Sequence, residues 1–206
     1  MNAPAYWLNF KQKLETKFPF FRNKLNPGAA IAEIESLEHK IQETLPESFI
    51  NLYLENNGET EDAHGYIFGL KLLPLTEINL ELEGWNTIID HGLEGLNDFC
   101  ESRPDGAIKC IYASRKWLPF LYDWGGNHIG IDFDPGIAGK RGQIINFGRD
   151  EDIKYVFAES FEKFLDRICS LLDRTDDICL GEDDHYSFRG SHFTDALKEL
   201  SAEEHA

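Results

Sequence analysis

The chain has 206 residues, 42% hydrophobic and 13% aromatic, with 37 acidic against 20 basic residues and a formal net charge of −17. That size and apolar content support a folded domain with its own core. The charge repels phosphate backbones and anionic bilayers, so neither nucleic acid nor a membrane surface is an expected partner; it serves solubility first, and a basic protein is the partner it would attract.

No stretch approaches the ~20 apolar residues of a membrane-spanning helix. Residues 1–17 carry charges throughout and lack the apolar centre of an export signal, so a cytoplasmic location is expected. Cys100, Cys110, Cys169 and Cys179 form no C-x-x-C pair. Reduced thiols are expected, rather than a zinc site or a disulfide framework, and no cofactor is expected.

A first helix is predicted over residues 5–14, ending before Pro19, and Asn26-Pro27-Gly28 then marks a turn. A second helix is predicted from Ala29 to about Thr44, with Ile31, Ile34, Leu37 and Ile41 as its apolar line. Pro46 suits the first turn of a third helix over residues 47–55, and Asn56-Asn57-Gly58 suits its end. Residues 65–70 are expected as a short strand, and Thr76 as the cap of a fourth helix reaching Ile89. The glycines and prolines of residues 91–106 predict a surface connection, followed by a strand over residues 108–112.

Trp117 to Trp124 is apolar on both alternating faces and reads as a strand buried on both sides. Pro119 cannot donate to a ladder, so an unpaired or bulged position is expected there. Trp117 and Trp124 are both expected in the core. Gly125-Gly126-Asn127 predicts a tight hairpin. The return strand alternates, with Ile129, Ile131 and Phe133 inward and His128, Gly130, Asp132 and Asp134 on a polar outer face. Two further strands, residues 143–147 and 153–158, complete an antiparallel meander. A helix capped by Ser160 closes the unit, with Phe161, Phe164, Leu165, Ile168, Leu171 and Leu172 as one apolar stripe. Residues 173–206 carry ten acidic against three basic residues, a net of −7. With the polar Asp183-Asp184-His185-Tyr186 run they read as a loosely attached acidic arm, holding one short helix near residues 194–203. The expected organisation is an N-terminal helix and linker (1–28), an α+β domain (29–172) and the arm (173–206).

Five segments carry a resemblance when taken in order: LPESFINLYLENNGE from Leu45, GLKLLPLTEI from Gly69, WLPFLYDWGGNHIGID from Trp117, GQIINFG from Gly142 and YVFAESFEKFL from Tyr155. Together they resemble the Smi/Knr family of the SUKH superfamily over roughly Ile34 to Ile168. The motif positions are Pro46, Gly58, Trp117, Pro119, Gly125, Gly126, Asn127 and Asp132. One departure is Asn57-Gly58-Glu59, where the family usually carries Asn-Gly-Gly. The resemblance implies an α+β fold, a mostly antiparallel sheet with helices packed around it, and function by binding. Bacterial members look like immunity proteins that neutralise toxins, and fungal members are similar to regulators of cell-wall synthesis. The resemblance brings no catalytic residues with it.

Asp132 and Asp134 lie on one strand face, near Asp123 and His128 across the hairpin, and carboxylates with a histidine suit a divalent ion or acid–base chemistry. Turn chemistry explains them better: Asp134 opens the Pro135-Gly136 turn and Asp132 bonds loop backbone. The favoured expectation is a non-catalytic immunity-type protein that occludes a basic toxin domain. A regulatory scaffold is the alternative, and a metal-dependent hydrolase at Asp132 and Asp134 the least favoured. The candidate partner contacts are Glu59, Glu61 and Asp62 after the third helix, Asp132 and Asp134 on the sheet, and Trp85 as a partly exposed anchor.

Overall fold

The computed structural model describes residues 3–181 and 186–204, so the expected polar run 183–185 lies outside the described residues. Helix α1 (Ala3–Lys17) is followed by α2 (Ile31–Ile41) and α3 (Glu47–Glu55). α2 buries Ile34, Leu37 and Ile41 on one side and stops where Gln42 turns left-handed. α3 starts directly after Pro46, with Glu47 placed to meet the positive end of the helix dipole. Beyond α3 the chain reverses at Gly58 (φ 71°), where an added Cβ would sit 2.3 Å from the Pro74 nitrogen. Only glycine fits that close approach.

Next come β1 (Lys71–Leu72), α4 (Leu75–His91), β2 (Glu101–Arg103), β3 (Trp117–Tyr122), β4 (Asn127–Asp132), β5 (Gln143–Gly148) and β6 (Ile153–Ala158). They form a six-stranded sheet in the order β1-β3-β4-β5-β6-β2. Every pairing is antiparallel except that of β2 with β6. The predicted meander is therefore present, and the register shift between Pro119 and Leu121 is the bulge expected at the proline. α5 (Phe161–Leu171) buries its predicted stripe, and the Ser160 hydroxyl caps it by accepting from the Lys163 N–H at 3.3 Å. The chain closes with a hairpin, β7 (Ile178–Leu180) and β8 (Tyr186–Phe188), and α6 (Phe193–Glu204). Among the described residues no helix is long and apolar enough to cross a membrane.

Four expectations need correction. Residues 65–70 are not a strand but a knot of turns with one bridge, Ile67 to Leu70, because Gly65, Phe68 and Gly69 all have positive φ. Residues 108–112 form an irregular loop, and the extra strand of the sheet is instead β2, inside the expected surface connection. β4 is buried along its whole length rather than half-exposed. The sheet is covered on both faces: the main core lies on one, and Trp85, Ile108, Trp117, Ile145 and Phe147 pack on the other.

The acidic C-terminal arm is not loosely attached. Tyr186 is fully buried among Phe18, Phe21 and Phe68. Its hydroxyl accepts from the Phe68 N–H at 2.6 Å and donates to the Tyr66 carbonyl at 2.7 Å. α6 buries Phe193, Ala196, Leu197 and Leu200 in the same core that holds Trp7, Phe10 and Leu14 of α1. Tyr186→Phe keeps the ring but leaves the Phe68 N–H and the Tyr66 carbonyl without partners in the interior. It should cost about 2 kcal/mol in a chemical-denaturation measurement.

Candidate partner-binding surface

Strands β3 and β4 meet at a tip of four residues, 123–126. Asp123 organises it. Its Oδ1 accepts the N–H groups of Gly125 (2.7 Å) and Asn127 (2.9 Å), and its Oδ2 accepts from the Asn127 side-chain amide (2.8 Å). An aspartate bonding backbone two residues on is the standard way to fix such a turn. The turn forces Trp124 into the left-handed region at φ 60°, which bulky residues avoid. The strain is on the order of 1–3 kcal/mol. The tip is also held from the side: Arg149 N–H donates to the Gly126 carbonyl (3.0 Å), and Asp150 N–H to the Asn127 side-chain oxygen (2.9 Å). Trp124 thus stands 48% exposed on a tip whose backbone is pinned on both sides.

Behind it runs an aromatic row. Tyr122 lies 6.5 Å from Trp124 and stacks on the His128 ring at 5.1 Å. Phe147 stacks on the other face of His128 at 5.4 Å, and Trp85 meets its edge. His128 Nε2 lies 3.1 Å from a Glu81 carboxylate oxygen. That pair is no general acid–base apparatus open to a substrate, because His128 is 2% exposed. Burial pushes the Tyr122 phenol above its usual range, and the Glu81 and Asp123 carboxylates add to the rise while Arg149 opposes it. The surface around Trp124 therefore joins a rigid aromatic anchor to nearby carboxylates, with Arg149 paired to Asp150 at 3.0 Å. Such a surface suits a partner offering an apolar pocket or a cation to the indole face.

The structure scatters the residues singled out from the sequence. Trp85 is 8% exposed, packed under the sheet against Tyr112, His128 and Phe147, so it is not a surface anchor. Trp124, expected in the core, is instead the exposed indole. Asp-x-Gly-Gly was the signal: an aspartate followed by paired glycines puts the intervening residue in the turn instead of the strand. Asp132 is fully buried. It accepts from Trp117 Nε1 (3.0 Å), Gln143 Nε2 (2.9 Å) and the Asp134 N–H (2.9 Å), and burial raises its carboxyl above the usual range against those three donors. It staples β3, β4 and β5 and offers nothing to a partner. Asp134 is half-exposed and pairs with Lys109 at 2.5 Å. Among the described residues no three potential ligands converge on a metal position.

Glu61 and Asp62 are exposed, as a partner contact requires. Asp62 already pairs with Lys24, and that bond, with one from the Thr60 hydroxyl, holds its carboxyl down to about 2. Glu59 is 1% exposed, which removes it from any docking face. Its oxygens accept the N–H groups of Gly65 (3.3 Å), Tyr66 (2.8 Å) and Leu72 (3.1 Å). Burial pushes this carboxyl from 4.5 to about 7, although the three N–H groups and Lys71 pull the other way. A raised carboxyl binds its proton more tightly in the folded state, so its contribution is full below pH 4.5 and lost as pH rises through about 7. Glu59→Gln removes the titration. The stability of the native chain minus that of the variant should fall by about 3 kcal/mol between those pH values, measured by denaturant titration across the range.

Comparison with known proteins follows the same geography. The model of the SMI1 / KNR4 family (SUKH-1) matches residues 28–167. The "Cell wall biosynthesis/cell cycle regulator smi1" of Schizosaccharomyces pombe is 38% identical over 149 residues, covering 67% of this chain and 30% of that protein. The "Glucan synthesis regulatory protein" of Neurospora crassa is 30% identical over 192 residues, covering 77% and 36%. The "Cell wall assembly regulator SMI1" of Saccharomyces cerevisiae is 49% identical over a shorter 65 residues, covering 32% and 13%. The chain spans about a third of the length of the first two relatives. The match takes in α2, α3, the whole six-stranded sheet and most of α5, with the hairpin tip inside it, and the chain belongs to the SMI1 / KNR4 (SUKH-1) family.

Proposed function

We propose that this chain is a non-catalytic regulatory module that acts by binding a protein partner, with Trp124 as the anchoring side chain. The observation that carries this reading is an exposed tryptophan kept in a strained backbone conformation by a fully bonded aspartate. Local strain at a surface residue that packs against little else is a cost with no return in stability. It fits a side chain held in place for contact. The names of the fungal relatives, regulators of cell-wall and glucan synthesis, support a regulatory role over a chemical one.

A second reading is neutralisation of a basic toxin domain. The net charge of −17 favours it, since an acidic surface speeds encounter with a basic partner. Both readings use the same tip, and the identity of the partner separates them.

Trp124→Gly gives the test. Glycine adopts positive φ freely, so the variant should keep its stability or gain up to about 1 kcal/mol. Losing a central aromatic anchor should at the same time weaken partner binding by about 2 kcal/mol, roughly thirty-fold in Kd. Quantitative affinity purification with the native chain and the variant, followed by titration of whatever the variant loses, reads both quantities. Undiminished binding of every partner by the variant would sink the proposal. A basic toxin domain among the lost partners would select the neutralising reading over the regulatory one.

A further inference from the structure

Lys154 of β6 is wholly buried. A buried ammonium ordinarily meets a carboxylate, because an unpaired charge in the interior is costly. Among the described residues no carboxylate forms an ion pair with this one. Glu151 turns its carboxylate to Lys198 at 2.9 Å and gives Lys154 only its carbonyl oxygen, at 3.1 Å. The other neighbours of Lys154 Nζ are the Trp117 ring, 5.6 Å away at its centroid, and the Cys100 sulfur, at 3.4 Å.

Strand pairing holds the two side chains face to face. β2 runs beside β6 with Glu101 opposite Ile153 and Ser102 opposite Lys154, and the Glu101 N–H donates to the Asp152 carbonyl at 3.0 Å. Cys100 directly precedes this ladder, and its own N–H is fixed by the Asn97 carbonyl at 3.1 Å. Cys100 keeps 8% of its surface exposed, a route for a small oxidant. The other cysteines are placed differently. Cys110 and Cys179 are exposed. Cys169 accepts from the Asn9 amide at 3.2 Å, and Lys13 beside it is held by Asp173 at 2.7 Å.

We propose that Cys100 and Lys154 form a covalent sulfur–nitrogen link when the protein meets hydrogen peroxide, and that thiols undo it. The Cys100 thiol gives two electrons to the O–O bond of the peroxide and becomes a sulfenic acid, while one water leaves. The Lys154 amine, its ammonium proton released to solvent, attacks that sulfur. The S–O bond breaks as the S–N bond forms, and the hydroxyl departs with an amine proton as a second water. Sulfenic acids condense in this manner with thiols and with backbone nitrogen. Here the nucleophile already in contact is Nζ. A dithiol reverses the link: it attacks the sulfur, returns the thiol and the amine, and is itself oxidised to a disulfide. The link clamps β2, a three-residue edge strand, to the sheet, so oxidation stiffens the segment that carries the exposed Leu96 and Phe99. This site is separate from the hairpin tip, and the proposal goes beyond the function proposed for Trp124.

The test treats the full chain with hydrogen peroxide, alkylates the remaining thiols, digests without reductant and maps the peptides by mass spectrometry. The expected product joins the Cys100 and Lys154 peptides at a mass two hydrogens, about 2 Da, below their sum, and disappears with dithiothreitol. Because the link closes a long loop, the oxidised chain should melt at least about 5 °C above the reduced one. Cys100→Ser should abolish both the product and the shift. Cys110→Ser, at an exposed position, should keep both. Cys100 alkylated as fully as in untreated protein, Cys100 carried on to sulfinic or sulfonic acid without a link, or a link from Cys100 to another residue would overturn the proposal.

Discussion

Between Glu59 and β1 the backbone runs through the interior without regular structure, and buried donors there must find acceptors within the protein. Glu59 satisfies two of them, on Gly65 and Tyr66, and the Leu72 N–H of β1 with one carboxylate, and the Tyr186 hydroxyl satisfies another, on Phe68. Each such donor left alone costs about 1–3 kcal/mol, so this segment governs how far the rest of the fold can vary. It also ties residues near both ends of the chain to the middle. The Asn26 side chain donates to the Glu59 carbonyl, Asn56 donates to the Asn26 carbonyl, and Trp7 of α1 donates to Asn56. Tyr186 arrives from the other end of the chain. Segments outside the family match thus close the interior of the part inside it.

The same rule shapes the second face of the sheet. β4 carries His128 and Asp132 into a space roofed by α4 and the loop before β3. Burying a carboxylate is costly unless its lone pairs are met, and Asp132 is met by three donors from β3, β5 and the following loop. The result is a stiff central hairpin. Stiffness at its base is what allows a strained residue to persist at its tip: the bonds of Asp123 and Asn127 outweigh the left-handed conformation of Trp124.

Much of this was legible in the sequence, for identifiable reasons. α2, α3 and α5 announce themselves through apolar residues at helical spacing, β3 through a run apolar on both faces, and the return strand β4 through alternation after a glycine-rich turn. The bulge followed from Pro119, which has no N–H to give. What escaped was set by tertiary partners. β2 is three residues long, too short to show a period. Tyr186 and α6 sit among acidic residues that suggest solvent, yet their apolar side is long enough to dock. Glu59 and Asp132 look like surface charges until their donors are seen. Trp124 faces outward because β3 stops at Tyr122, two residues short of it, and Trp85 is covered by Tyr112, His128 and Phe147, which come from other elements.

The exposure of Trp124 has an optical consequence. The chain has four tryptophans, and three of them, Trp7, Trp85 and Trp117, are buried. Trp124 alone is in substantial contact with water. A dissolved quencher that cannot enter the core will meet a single indole, so the accessible fraction of the intrinsic emission belongs to the hairpin tip. The protein carries, without any label, a reporter on the hairpin tip, the face proposed for partner binding.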